Sequence, residues 1–174
     1  VYGAQWRRWK TADGREIDQI QELVEALKQN PGSRRLLFEG WNVGELDQMA
    51  LPPCHKTYQF FVSESTGRLS AALMQRSADA YLGLSWNIAN LALLTHLLAL
   101  ECGYLPGEIV WFGGDVHLYL NHQVQTREQL SRSPRPLPRL EILRKAPDLF
   151  SYQIEDFDLK DYDPHPHIAA EVAV

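Results

Sequence analysis

The segment Pro52-Pro53-Cys54-His55 contains the side chains best suited to covalent chemistry. A free cysteine is usually a small buried hydrophobe, but two prolines constrain this loop, and constrained loops often carry function. His55 could orient a hydrogen-bond network or assist proton transfer. A reactive Cys54 needs its thiolate, which a nearby cation would stabilise, and Arg76 is the best candidate for that cation. Cys102 ends an apolar segment, so we interpret it as a packing residue.

Arginines flank two apolar segments of the chain. Arg34-Arg35 precedes one segment, and Gln75-Arg76-Ser77 ends another. Paired arginines normally lie in water, but a guanidinium that is partly buried needs a partner, and its planar fork matches the oxygens of a phosphate. Ser77 could add a hydroxyl donor. These residues therefore predict binding of a small anion.

Polar residues near two other apolar segments allow both a structural and a functional interpretation. Asn87 could cap a helix or read the edge of a base, because an amide both donates and accepts. Asp79 could cap the same region or bind a ligand amine. In the segment 115–119, alternation places His117 and Tyr119 on one face of a strand, where they could hold a sugar hydroxyl. An ordinary half-buried strand is the alternative.

Composition excludes several classes of function. The formal net charge is −5, which disfavours a DNA-binding surface. Two cysteines are too few for a disulfide scaffold, and the simplest setting is the reducing cytoplasm. No apolar run is long enough to cross a membrane. We expect no metal site, because no cluster of carboxylates or thiols surrounds His165-Pro166-His167 at ligand spacing.

The elements that must position these residues follow from periodicity and turn signals. Helices are predicted at 18–29, 88–102 and 123–130, and strands at 36–38, 58–62, 69–75, 109–112, 140–143 and 152–159. The strand at 109–112 is expected to close at Gly113-Gly114. The pattern predicts an α/β fold of the α+β type, with a mixed, largely antiparallel sheet packed against a long buried helix. We expect a single domain over residues 1–174.

Several segments together resemble the thymidylate synthase family, of the bacterial type. They occur in the family's order and spacing along the whole chain, and the most specific are Tyr2-Gly3-Ala4-Gln5-Trp6-Arg7, Ser33-Arg34-Arg35, Leu51-Pro52-Pro53-Cys54-His55, Gln75-Arg76-Ser77-Ala78-Asp79, Gly114-Asp115-Val116-His117-Leu118-Tyr119 and Tyr162-Asp163-Pro164-His165-Pro166.

The resemblance implies reductive methylation of dUMP to dTMP. Cys54 would attack ring carbon six of dUMP, and carbon five would then take up the methylene group of methylenetetrahydrofolate, which also supplies the hydride. Such chemistry needs a deprotonated nucleophile and donors on the carbonyl oxygen where charge develops. The expected cofactor is therefore methylenetetrahydrofolate, without a metal.

The resemblance also assigns roles to individual residues. It implies a catalytic group of Cys54, His55, Tyr2 and Arg76. The dUMP-binding residues would be Arg34, Arg35, Gln75, Arg76, Ser77, Asp79, Asn87, His117 and Tyr119. The folate-binding residues would be Asp79, Leu82, Gly83, Trp86, Val172, Ala173 and Val174. Because the family's counterparts of Arg34 and Arg35 reach the partner subunit's phosphate, a homodimer is expected.

Two departures from the family pattern affect these expectations. The usual Leu-Gly-x-Pro-Phe-Asn reads Leu82-Gly83-Leu84-Ser85-Trp86-Asn87, so a larger ring replaces a phenylalanine that packs on the folate. The chain also has no counterpart of the family's opening third, so we expect poor turnover by this segment alone. A dUMP 5-hydroxymethylase of the same family and a truncated nucleotide-binding remnant stay open as alternatives.

Overall fold

The computed structural model describes residues 2–173, which form four helices and eight strands. The helices are α1 (Tyr2–Arg7), α2 (Gln19–Gln29), α3 (Leu84–Cys102) and α4 (Gln123–Leu130). The strands are β1 (Trp9–Lys10), β2 (Glu16–Ile17), β3 (Leu37–Glu39), β4 (His55–Ser63), β5 (Arg68–Asp79), β6 (Leu105–His117), β7 (Arg139–Ile142) and β8 (Phe157–Lys160).

Strands β3 to β6 form the central sheet, in the order β3-β4-β5-β6. The β3–β4 and β4–β5 pairs are antiparallel, while β5 and β6 are parallel because α3 carries the chain back between them. Two small antiparallel pairs, β1–β2 and β7–β8, complete the strands. This mixed, largely antiparallel arrangement confirms the predicted fold class.

The core lies between one face of the sheet and helices α2 and α3. Alternate residues of the strands point inward, as Tyr58 and Phe60 do in β4 and Leu73 does in β5, and all three are at most 3% exposed. Helix α3 buries Leu91 and Leu98 completely against them. The prediction of a long buried helix is therefore confirmed.

Turn chemistry sets the ends of the helices. Asp18 caps α2 by accepting from Gln21 N at 3.0 Å. Gly103, with φ of 80°, ends α3 in the left-handed conformation that glycine adopts without strain. At its start, α3 begins at Leu84, four residues before the predicted start at residue 88, so Asn87 lies within the helix rather than at its cap.

Two strand predictions were wrong in extent. Strand β6 does not close at Gly113-Gly114 but continues to His117, because β5 offers hydrogen-bonding partners along its full length to Asp79. The predicted strand at 152–159 is regular only from Phe157, because a short 3-10 helix at Ile154–Asp156 precedes it. That turn forms where Arg144 and the backbone of Gln153 both bind the Asp156 carboxylate.

Candidate active site

A cavity of about 640 Å³ lies between α1, the start of α3 and the adjoining parts of β4 and β5. Its size falls in the range of small-molecule sites. The lining combines mainly polar and aromatic side chains with three leucines of α3. The lining residues are Tyr2, Trp6, Cys54, His55, Tyr58, Gln75, Ser77, Asp79, Gly83, Asn87, Asn90, Leu93, Leu94 and Leu97. Eight of the residues predicted from the sequence to form the site therefore share one cavity.

The Cys54 sulfur lies in this cavity beside a guanidinium. Arg76 Nη2 is 4.0 Å from Cys54 Sγ, and Arg76 N donates to Cys54 O at 2.8 Å. The guanidinium is held in place because Nε donates to Pro53 O at 2.9 Å and Nη2 to Pro52 O at 2.8 Å. Cys54 itself is half-buried. A fixed cation next to a half-buried sulfur is the kind of surroundings in which reactive cysteines are found.

The Tyr2 hydroxyl joins α1 to the cysteine loop. It accepts hydrogen bonds from Cys54 N at 2.8 Å and from His55 N at 3.3 Å. Burial raises the pKa of Tyr2, although these two backbone donors act in the opposite direction. The phenol therefore stays protonated near neutral pH and can donate toward the cavity.

His55 is a buried, neutral imidazole. Its Nδ1 lies 2.6 Å from the Tyr58 hydroxyl. Burial lowers the pKa of His55, and a hydrogen bond that the protonated ring donates to the Asn87 side chain opposes that shift. Burial also raises the pKa of Tyr58. Both groups are uncharged at pH 7, so they can relay or orient a proton without a buried charge.

Asn87 and Gln75 form a polar pair on the wall of the cavity. Gln75 Nε2 donates to Asn87 Oδ1 at 2.8 Å and to Ser77 O at 2.9 Å. Gln75 is 1% exposed, so water does not compete for these bonds. The pair presents an ordered amide toward the cavity, which is the arrangement that reading a base edge requires.

Asp79 orders the turn that leads into α3. Its Oδ1 accepts from Tyr81 N at 2.9 Å and from Leu82 N at 3.2 Å, and Gly83 N donates to Asp79 O at 3.1 Å. A Cβ on Gly83 would lie 3.2 Å from that same oxygen. The close approach brings Gly83 and Asp79 together on the cavity wall.

His117 and Tyr119 lie at the neighbouring end of β6, outside the cavity lining. Their rings are perpendicular, with centroids 5.0 Å apart, and His117 pairs in register with Asp79. His117 Nδ1 is 3.6 Å from an oxygen of the Asp115 carboxylate. The strand ends at His117, yet the two side chains are adjacent, as the alternation predicted.

Arg34 and Arg35 do not reach this cavity within the chain. Both side chains are exposed, and Arg34 lines a different groove, of about 820 Å³, on the outer face of the sheet. The predicted phosphate-binding residues thus separate into three places: Ser77 on the cavity lining, Arg76 beside Cys54 but outside that lining, and the Arg34-Arg35 pair on another surface.

Of the predicted folate-binding residues, Asp79 and Gly83 line the cavity, whereas Trp86 and the described tail residues do not. Trp86, in the first turn of α3, is 72% exposed. In the tail, Val172 is 81% exposed and Ala173 is half-buried, while Val174 lies outside the described residues. His122 Nε2 holds the Glu171 carbonyl oxygen at 2.7 Å, which anchors the tail immediately before these residues.

Several cavity residues had no predicted role. They are Trp6, Tyr58, Asn90, Leu93, Leu94 and Leu97. Helical spacing contained a signal for part of this set, because Asn90, Leu94 and Leu97 follow Asn87 on one face of α3. Tyr58 could be found only from the fold, since it is buried as a core residue of β4.

Two kinds of feature are absent from the described residues. In residues 2–173, no three His, Cys, Asp or Glu side chains converge as a set of metal ligands. No described helix has the length and hydropathy needed to cross a membrane.

Comparison with known protein families agrees with the geometry. A family model described as thymidylate synthase matches residues 1–174. The match includes the cysteine loop, β5, the start of α3 and the end of β6, from which the cavity and its surroundings are built. The chain therefore belongs to the thymidylate synthase family.

Proposed function

We propose that the protein converts dUMP to dTMP with methylenetetrahydrofolate, and that residues 1–174 act as a single catalytic domain. The observation that carries the proposal is the placement of Cys54 Sγ, which faces a cavity at 4.0 Å from the Arg76 guanidinium. A thiolate is a soft nucleophile suited to conjugate addition. Asn87 on the same cavity supplies an amide that can pair with a pyrimidine edge.

The proposed covalent step is addition of the Cys54 thiolate to ring carbon six of the uracil. The new S–C bond moves an electron pair through carbon five to the carbonyl oxygen at position four, so carbon five becomes nucleophilic. Donors such as the Asn87 amide stabilise that oxygen as charge develops. The S–C bond breaks again when product forms, which returns the electron pair to sulfur.

Proton movement is assigned to Tyr2 and His55. Both contact the cysteine loop, and both are uncharged at neutral pH because burial raises the pKa of Tyr2 and lowers that of His55. A neutral phenol can donate a proton and a neutral imidazole can accept one, in each case through water. This assignment explains why a buried histidine directly follows the nucleophile.

Phosphate binding is assigned to Arg76 and Ser77, assisted by arginines of a second subunit. Ser77 lines the cavity, and Arg76 lies next to the Cys54 sulfur. Arg34 and Arg35 are exposed next to the outer face of the sheet, where Phe61 and Phe112 are 65% and 60% exposed. An apolar patch of this kind is typical of an interface. We propose that a homodimer buries it and brings Arg34 and Arg35 of one copy to the other's cavity.

The residues present fit a folate. Leu93, Leu94 and Leu97 form an apolar strip along the cavity, next to the polar Asp79 and Asn87, and this combination suits a flat, amide-edged ring system. Methylenetetrahydrofolate supplies the one-carbon unit and the reducing hydride when bound. Asp79 and Gly83 would hold the ring edge, with Leu82, Trp86, Val172 and Ala173 closing over it.

The test is product analysis with the full-length protein, dUMP and methylenetetrahydrofolate. We expect dTMP and dihydrofolate in equal amounts. Cys54→Ala should lower turnover by at least about 1000-fold, as loss of a nucleophile does, while dUMP binding persists and Cys102→Ala stays active. Formation of 5-hydroxymethyl-dUMP would instead identify a hydroxymethylase, an outcome that the enlarged Trp86 makes worth measuring. Binding without turnover in the unmodified protein would identify a nucleotide-binding remnant.

A further inference from the structure

The half-buried indole of Trp111 in β6 is connected to the cavity by side-chain hydrogen bonds. Trp111 Nε1 donates to Gln75 Oε1 at 2.9 Å, and Gln75 Nε2 donates to Asn87 Oδ1 at 2.8 Å. We infer that Trp111 is a positioning residue that fixes, through Gln75, which atoms of the Asn87 amide face the cavity. The inference rests on the proposed function, because Asn87 is the proposed reader of the pyrimidine edge.

The hydrogen-bonding partners of Gln75 determine how its amide, and then the Asn87 amide, is oriented. An indole N–H can only donate, so the Gln75 atom facing Trp111 must be oxygen. The Ser77 carbonyl can only accept, and it lies 2.9 Å from Gln75 Nε2. These two contacts force the same orientation on Gln75. Gln75 Nε2 therefore faces Asn87, so the Asn87 atom that accepts its hydrogen bond must be Oδ1.

Strand register and a glycine allow the indole to reach Gln75. In the parallel β5–β6 pair, Trp111 lies opposite Leu73, and Gly113 lies opposite Gln75. A Cβ on Gly113 would lie 2.8 Å from Trp111 Cζ2, well inside contact distance. The missing side chain thus leaves the space through which the indole extends along its strand to the level of Gln75.

The orientation of Asn87 decides which pyrimidine it matches. Uracil presents an acceptor at position four and a donor at position three, whereas cytosine presents the reverse. An asparagine amide that is free to rotate by 180° about χ2 pairs equally well with either base. With Oδ1 committed to Gln75, the amide has one orientation, and the site can discriminate. Trp111 is then a determinant of base specificity although it does not line the cavity.

The test compares dissociation constants for dUMP and dCMP, measured by titration calorimetry on the full-length protein. Trp111→Phe removes the N–H and keeps an aromatic ring, and circular dichroism checks its fold. Because the Ser77 carbonyl still favours the same orientation of Gln75, we expect the ratio of the dCMP to the dUMP constant to fall about threefold, part of the effect of one hydrogen bond. Trp9→Phe, in the distant β1, is the matched control and should leave the ratio unchanged.

A second variant keeps the inference falsifiable if Trp111→Phe folds poorly. Gln75→Glu places an acceptor where Nε2 faces Asn87 Oδ1, so Asn87 should turn over and the ratio should also fall. Equal weakening of both nucleotides, or an unchanged ratio in either folded variant, would overturn the inference, because a merely structural role affects the shared sugar and phosphate contacts. An unmodified protein that does not prefer dUMP would overturn the proposed function itself.

Discussion

The two cysteines of the chain lie in opposite surroundings. Cys54 faces a cavity with a guanidinium 4.0 Å from its sulfur. Cys102, at the end of α3, packs against the core with its sulfur 3.9 Å from the Val24 carbonyl oxygen, and burial raises its pKa to about 11. Residue type alone could not separate them, because the difference comes from the neighbours that the fold supplies.

This difference predicts selective alkylation. At pH 8, a thiol with a pKa of about 11 is thiolate to only about one part in a thousand. Iodoacetamide should therefore modify Cys54 at least ten times faster than Cys102, as followed by peptide mass spectrometry. Cys54→Ser serves as the control, since it should leave Cys102 as slow as before. Equal rates at both positions would contradict the assignment of Cys54 as the reactive sulfur.

The buried His55 predicts a loss of stability on mild acidification. Burial lowers its pKa below the usual 6.5, so the unfolded chain binds the proton more readily than the folded one. The stability that His55 contributes is complete above pH 6.5 and is lost as the pH falls toward its folded-state pKa. His96, whose pKa burial also lowers, acts in the same direction. The midpoint of urea unfolding should therefore decrease between pH 7.5 and pH 5.5.

A matched pair of variants isolates the contribution of His55. His55→Gln cannot take up the proton, so its unfolding midpoint should depend less on pH across this interval than that of the unmodified protein. His167→Gln, at an exposed position, should retain the full dependence. If both variants show the same pH dependence as the unmodified protein, the buried imidazole is not the group responsible.

At the scale of the elements, the end of β3 supports the cysteine loop through a close backbone approach. Gly40 N donates to Lys56 O at 2.8 Å, and a Cβ on Gly40 would lie 2.8 Å from His55 O and 3.5 Å from Pro53 Cβ. Backbone cannot yield as a flexible side chain can. The strand that carries His55 and the glycine that follows β3 therefore define the position of the nucleophile together.

This packing predicts the effect of Gly40→Ala. The added methyl group must displace the loop, at a cost of about 1–3 kcal/mol in the free energy of unfolding. Because the loop also carries Cys54, kcat should fall more than the loss of folded protein explains. Gly3→Ala is the control, since nothing lies within 4 Å of its added Cβ. Urea unfolding and steady-state kinetics of both variants measure these effects.

The sequence predicted most elements because their periodicities are local. Helix α2 was found to within a residue, and the β4–β5 hairpin follows from alternation about Gly67. The continuation of β6 through Gly113 could not be found locally, because it depends on pairing with β5. The candidate site shows the same division between local and long-range features. The loop with Cys54 was predicted, but the contacts of Gln75 with Trp111 and Asn87 were not, because they join residues that are distant in sequence.

At the scale of the whole molecule, one face of the sheet is buried and the other is not. Phe61, Val110 and Phe112 point away from α3 and are 65%, 58% and 60% exposed. Leaving such a surface in water is unfavourable, whereas pairing it with an identical copy by two-fold symmetry buries both at once. The exposed Arg34, which lines the groove on this face, would then lie near the second copy.

Sharing residues between subunits predicts that two inactive variants restore each other. In a dimer whose sites each combine Cys54 of one copy with Arg34 and Arg35 of the other, Cys54→Ala and the double variant Arg34→Ala/Arg35→Ala should both be nearly inactive alone. Unfolding and refolding an equal mixture gives mixed dimers in about half of the molecules, and one of their two sites is intact. About a quarter of the unmodified activity should therefore return.

Two controls test whether restored activity comes from active sites that combine residues of both subunits. A mixture of Cys54→Ala with Cys54→Ser should stay inactive, because no site then has an intact nucleophile. If the arginine and cysteine variants also fail to restore activity, while native mass spectrometry shows that mixed dimers have formed, Arg34 and Arg35 must act within their own subunit. Val110→Glu, which places a charge on the exposed sheet face, should yield monomers and lower the affinity for dUMP together, because both depend on the same interface.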